Sequence, residues 1–227
     1  MMNKIQFFEW NTVISVEVAG DLAPFADRLK DKIVKLDSIF SQDKIGSEIF
    51  DFKEGQIAKS KELKEALELA DYLKEITNGA FDHFRKIDGV VDLYALSKGY
   101  CVEQLVKILY EEFAHGGINA GGDIQVFSED DIWKIGLEEP ANRQEIFHTI
   151  EIANGAVCSS GNYLKEHIEE AKYDISTVVG PSAPLADGLA TAIIRDPEGR
   201  WLPPSYQAIL HNADSKVYYT LNSNSHK

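Results

Sequence analysis

Three times between residues 22 and 113 the apolar residues recur at helical spacing, and beyond Ile118 that spacing disappears. A helix with one apolar stripe must bury it against another element, so this chain needs a partner layer for three such helices. The first stripe, Leu22, Phe25, Ala26, Leu29, Ile33, Leu36 and Phe40, predicts a long helix ending near Ser41. The second starts near Ser60, carries Leu63, Leu67, Ala70, Leu73 and Ile76 inward, and stops at Asn78-Gly79. The third carries Val102, Leu105, Val106, Leu109 and Phe113, with Gly116-Gly117 expected to end it.

The partner layer is legible on both sides of the helices. Thr12–Ala19 alternates as a half-buried strand does. The opening MMNKIQFFEWNTVISVEV reads as a first strand rather than a secretory signal, because Glu9 interrupts a very short apolar stretch. Short β-like segments follow at 124–127, 132–137, 146–152 and 176–179, separated by polar or Gly-bearing turns. A last helix is expected over 183–194, with Ser182 at its N-cap and Pro184 in its first turn. Segments 206–210 and 216–221 close the chain as a hairpin. Strands joined by hairpins and covered by helices predict an α+β fold with a largely antiparallel sheet. No repeat, low-complexity tract or Pro/Gly/Ser linker divides it, so one compact unit is expected.

Charge narrows the partners. Lys and Arg number 23 against 37 Asp and Glu, a net −14, which argues against a nucleic-acid backbone or an anionic membrane. An acidic protein that binds a phosphate-bearing ligand needs a helix N-terminus, a local lysine or a bound cation to offset repulsion. The two cysteines, Cys101 and Cys158, are far apart and read as buried small hydrophobes. No run approaches a membrane span, and a cytoplasmic location is the default expectation.

Residues 91–105, VDLYALSKGYCVEQL, place Asp92, Lys98 and Gly99 at a seam between an apparent strand and a helix. Such seams hold anions, through free N–H groups and the helix dipole, or are simply capped turns. In ADGLATAI, Asp187 and Thr191 stand four apart on one helix face. Two hard oxygens at that spacing suit Mg2+, or the pair faces solvent or bonds to itself. Asn119-Ala120-Gly121-Gly122-Asp123 allows close backbone approach to a ligand, or a φ > 0 turn whose N–H groups Asp123 could accept. Gly79-Ala80-Phe81-Asp82 could embrace a flat ring or close a turn.

In order, GAFD, DLYALSKGY, NAGGD, WKIGLEEP, CSSGNY and ADGLATA resemble the ApbE family over residues 79–193, with Ser47-Glu48-Ile49 a weaker N-terminal echo. The resemblance implies a T-fold-related α+β domain spanning residues 1–227. It further implies Mg2+-dependent transfer of FMN from FAD onto a threonine of an acceptor protein, with release of AMP. Position by position, Ala80, Phe81, Asp82, Asp92 and Lys98 match flavin- or FAD-contacting residues. Ala95, through its carbonyl, Asp187 and Thr191 match the metal ligands. The family's His-Ile-x-Asp-Pro-x-Thr-Gly loop is missing, and His167 either stands in for its catalytic histidine or is an ordinary surface histidine. Only residues 83–91 separate GAFD from DLYALSKGY, and Trp10-Asn11-Thr12 replaces the usual Met-Gly-Thr. These departures leave an FAD pyrophosphatase, giving FMN and AMP, and a non-catalytic flavin-binding module as alternatives.

Overall fold

A computed structural model describes residues 1–84, 89–139, 142–161, 172–212 and 217–222. The chain opens with a hairpin, β1 (Met2–Glu9) and β2 (Thr12–Ala19), whose turn places Trp10 and Asn11 at φ 55° and 56°. A single 3-10 turn at Ala23–Phe25 leads into α1 (Ala26–Phe40), so the regular helix starts later than its apolar stripe. Short α2 (Glu48–Lys53), capped by Ser47, was not foreseen; six residues are too few to show a period. Then comes α3 (Lys61–Ile76), with Ser60 Oγ accepting the Leu63 N–H at 3.0 Å. Asn78 and Gly79, at φ 52° and 82°, end it as expected.

The third helix, α4 (Tyr94–Tyr110), differs from expectation at both ends. It begins before Lys98 rather than after it, because Asp92 Oδ1 accepts the Tyr94 N–H at 2.9 Å and starts the turn. It ends before Gly116-Gly117, which belong to β3 (His115–Ala120). Those glycines serve close approach rather than helix termination. A Cβ on Gly116 would meet Phe127 Cζ at 2.7 Å and Val18 Cγ1 at 2.9 Å. The chain continues through β4 (Asp123–Ser128), β5 (Trp133–Glu139), β6 (Asn142–Ile152), β7 (Gly155–Gly161) and β8 (Ile175–Gly180). Helix α5 (Ala183–Arg195) and the hairpin β9 (Gln207–Asn212) and β10 (Val217–Asn222) complete it. Ser182 occupies the N-cap position of α5, but its hydroxyl donates to Glu103 Oε1 on α4 instead of capping.

Eight strands form one sheet in the order β1-β2-β3-β4-β7-β8-β9-β10, every pairing antiparallel, and β5-β6 is a separate two-stranded ribbon. The period of 2 sends alternate residues to opposite faces. Ile14, Val16 and Val18, with Phe127, Cys158, Val178, Ala208 and Leu210, join the core under the helices. Val126, Val157 and Ile209 point the other way and meet Ile135, Leu137 and Ile150 of the ribbon. Against the sheet lie α4 and α5, with α1 and α3 outside them. Leu29, Ile33 and Leu36 of α1 are fully buried, each worth about 1.5–3 kcal/mol of apolar transfer. Among the described residues, no helix is long and apolar enough to cross a membrane.

An ion pair ties the outer helices together. Glu62, in the first turn of α3, accepts from Lys35 at 2.6 Å and Lys32 at 3.3 Å on α1. The Lys35 bond, against the cost of burial, holds the Glu62 carboxyl down at about 2, from an ordinary 4.5. A depressed acid stabilises the fold above its unfolded pKa and loses that contribution as pH falls through the folded one. Glu62→Gln is therefore expected to lose about 1–2 kcal/mol at pH 7, discounted for the exposed Lys35. Urea unfolding across pH should show the gap between wild type and variant closing between pH 4.5 and about 2.

Candidate functional site

The site is assembled where α4 and α5 cross. Gly99 makes the crossing possible, since a Cβ there would sit 2.5 Å from the Ala183 carbonyl oxygen and 2.9 Å from Asp187 Cβ. One turn earlier, Ala95 leaves the helical conformation at φ −81°, ψ 17°, kinking α4. The N–H of Gly99, which an unbroken helix would return to the Ala95 carbonyl, donates to Asp187 Oδ2 at 3.0 Å. The kinked main chain of α4 and the buried carboxylate of α5 thus face the same seam. Thr191, one turn beyond Asp187, donates its hydroxyl to Ser160 Oγ of β7 at 3.3 Å.

A second acid converges from the sheet. The turn before β4 holds Gly121 and Gly122 at φ 64° and 99°, and Asn119 Oδ1 accepts the Gly122 N–H at 3.0 Å. Asn119 therefore does the turn-bonding expected of Asp123. Freed from the turn, the Asp123 carboxylate is buried and Oδ2 accepts from Lys98 Nζ at 2.6 Å. Its Oδ1 is buried with no hydrogen bond of ordinary geometry, although the Ser159 N–H and the Cys158 thiol lie close enough to favour the charged form.

Burial pushes the Asp187 carboxyl well above the usual range; Asp123 pushes the same way, while Lys98 and the Gly99 N–H oppose. Asp123 is raised too, burial outweighing Lys98. Burial works to discharge Lys98, but Asp123 and Asp187 outweigh it and keep its ammonium above the ordinary lysine value. Two buried carboxylates thus share one lysine. Two buried carboxylates against one ammonium are what a hard cation would relieve. Among the described residues there is no group of three or more His, Cys, Asp or Glu side chains able to hold a metal. A set of one carboxylate, one hydroxyl and a main-chain carbonyl is of a different kind, and suits an ion that keeps some of its water. The donor types of Asp187, Thr191 and the Ala95 carbonyl are ones that could hold Mg2+.

Two cavities lie nearby, the first on the helix side of the sheet and the second on its ribbon side. Lys98 and Ser97 help line one of about 430 Å3, which runs under the β1–β2 turn. Gly121, Gly122, Ser159 and Thr177 help line another of about 620 Å3, between the sheet and the β5-β6 ribbon. Lys98, paired with Asp123, belongs to the wall of the first, while Gly122 and Ile124 on either side of Asp123 belong to the second. Both volumes fall in the range of small-molecule sites.

Of the expected flavin-contacting residues, Lys98 is at the cluster, and Asp92 holds the start of α4 just before it. Ala80, Phe81 and Asp82 line neither of these two cavities. Phe81 is 1% exposed, with its N–H on Thr77 Oγ1, and Asp82 accepts from Lys74 and from the Phe84 N–H. His167 lies outside the described residues. Cys158 is buried beside Asp123 and donates to the Ala183 carbonyl at 3.5 Å, packing rather than reacting. Sequence reasoning missed the Lys98–Asp123 pair, because a turn acid and a helix lysine 25 residues apart carry no local signal of contact.

Comparison with known proteins agrees with this architecture. The model of the ApbE family matches residues 84–202. The ApbE protein of Thermotoga maritima superposes with a TM-score of 0.82, at 16% identity over 96% of each chain. The flavin transferase ApbE of Vibrio cholerae gives 0.78 at 15% identity, covering 99% of this chain and 98% of that one. The apo form of the Pseudomonas stutzeri flavinyl transferase ApbE gives 0.78 at 16% identity, over 97% and 94%. No curated protein sequence matches. At these identities the solved structures speak for the fold, while the family model covers more than half of the sequence and includes the whole α4–α5 seam: the chain belongs to the ApbE family.

Proposed function

We propose that residues 1–227 form one flavin transferase domain that moves FMN from FAD onto a threonine of an acceptor flavoprotein, using Mg2+. The observation that carries this is the α4–α5 seam, where the kink at Ala95 and buried Asp187 meet through the Gly99 N–H. Two of the solved relatives are described as flavin or flavinyl transferases, which supports the same reaction class. In the reaction, the acceptor hydroxyl oxygen forms a bond to the flavin-side phosphorus. The pyrophosphate P–O bond breaks, AMP departs with the electron pair, and the hydroxyl proton passes to solvent or a base.

Ala95, Asp187 and Thr191 would hold the ion. When bound, it would supply positive charge for the pyrophosphate and the departing AMP. The chain's own residues do the rest. Lys98 offers a second positive charge at the edge of the smaller cavity, held in place by Asp123. Burial of the cluster lowers the local dielectric, which strengthens each of these interactions and keeps competing water away.

Incubation with FAD and Mg2+, with and without a threonine-bearing acceptor, tests the proposal. AMP released only with acceptor, together with a flavin covalently attached to it, is the expected result. AMP without acceptor would make the protein a pyrophosphatase. Binding without AMP would make it a flavin-binding module.

A further inference from the structure

Strand β1 ends the eight-stranded sheet, and among the described residues nothing pairs with its outer edge. It runs in unbroken register with β2, from Met2↔Ala19 to Glu9↔Thr12. Exposed edges are ordinarily blunted by a bulge, a proline or inward charge, and β1 has neither bulge nor proline. The two-residue turn Trp10-Asn11 fixes which groups face outward. It closes on the Glu9↔Thr12 pair, so Glu9 bonds to β2, and the alternation of an antiparallel ladder assigns Phe7, Ile5 and Asn3 to β2 as well. The N–H and C=O groups of Phe8, Gln6, Lys4 and Met2 therefore point away from the sheet. Residues 1–8, MMNKIQFF, also contain no acid in a chain of net −14, so two copies meeting there oppose no carboxylates.

We propose that β1 is a dimerisation edge, pairing antiparallel with β1 of a second copy about a twofold axis through Gln6 and joining two sheets into one. In that register the strand is complementary to itself. On the helix side, Ile5 lies opposite the partner's Phe7, and both residue types are half-buried against the core of their own subunit. On the other side, Lys4 lies opposite the partner's Phe8, a ring that is 74% exposed in the single chain. Asn3 faces the partner's Glu9, so no like charges are opposed. The pairs of Lys4 with Phe8, of Gln6 with its own copy and of Phe8 with Lys4 exchange about six main-chain hydrogen bonds. A segment of another protein could add to the same edge; the match of the strand to itself is what favours a second copy. The inference does not rest on flavin transfer.

Sedimentation velocity of the full chain between about 1 and 100 μM tests it, and the wild type is expected to pass from monomer to dimer in that range. Gln6→Pro deletes the central outward N–H, at an edge position where proline is tolerated. Gln6→Lys sets two ammonium groups face to face on the axis. Both variants should weaken the dimer about 10-fold or more. Two controls should leave it unchanged within about 2-fold. Ser15→Ala removes the 2.9 Å Gln6–Ser15 bond without touching the edge, and Tyr219→Lys alters β10 at the opposite end of the sheet. A wild type that stays monomeric at about 100 μM overturns the inference, as does a dimer that both Gln6 variants leave intact. Assemblies that grow beyond dimers would show a head-to-tail contact and overturn it too. AMP release assayed on the same preparations reads flavin transfer separately, so neither result decides the other.

Discussion

Asp187→Asn is expected to leave the fold standing and to lower flavin transfer at least about 100-fold, even at saturating Mg2+. The asparagine keeps the shape of the side chain and an oxygen that can still accept the Gly99 N–H. It loses the negative charge that would hold a divalent ion. Burial and Asp123 already push the Asp187 carboxyl well above its usual range, so its charge works against folding when no cation is bound. The variant without metal should therefore melt at or above the wild-type temperature. AMP release and thermal melting, measured on the same preparations, check both halves. Full activity in the variant would refute the metal assignment, and lost activity accompanied by a lowered melting temperature would point to a structural role.

The second large effect is steric. Alanine in place of a glycine inside a helix normally gains about 0.5–1 kcal/mol. At Gly99 the opposite is expected, a loss of about 2–3 kcal/mol, because the new methyl would lie 2.5 Å from a backbone oxygen of α5 that cannot swing aside. Gly188 provides the control. Its added Cβ would meet the tip of the Leu73 side chain at 2.3 Å, and a flexible tip can move at smaller cost. Urea unfolding of Gly99→Ala and Gly188→Ala should rank them in that order. Separating α4 from α5 would also draw the Ala95 kink away from Asp187, so transfer by Gly99→Ala should fall by more than its stability explains. Similar losses at the two glycines would show that the crossing is not held by backbone contact.

What could be read without coordinates follows the range of the interaction concerned. The stripe on α3, its Ser60 cap and its Asn78-Gly79 stop are all encoded within a few residues of one another, and the helix appears where expected. The same holds for β2 and the closing hairpin, where alternation is a local property. The ends of α4 were misread because glycines carry two meanings. Gly116 and Gly117 resemble a helix stop in sequence, but they are required by Phe127, Val18 and Val126 across the sheet. Of the site, the residue types of ADGLATA and DLYALSKGY were visible, and the family order of the motifs tied them together.

Local pattern, then, was enough for the helices, most strands and the acidic balance, because periodicity, caps and spacing act between near neighbours in the chain. The tertiary structure alone decided that Asp123 would pair with Lys98 and that Gly99 would bring α4 onto α5. Each of those depends on two segments distant in sequence being pressed together by the core, and burial then raises the electrostatic and hydrogen-bonding stakes at the points where they touch.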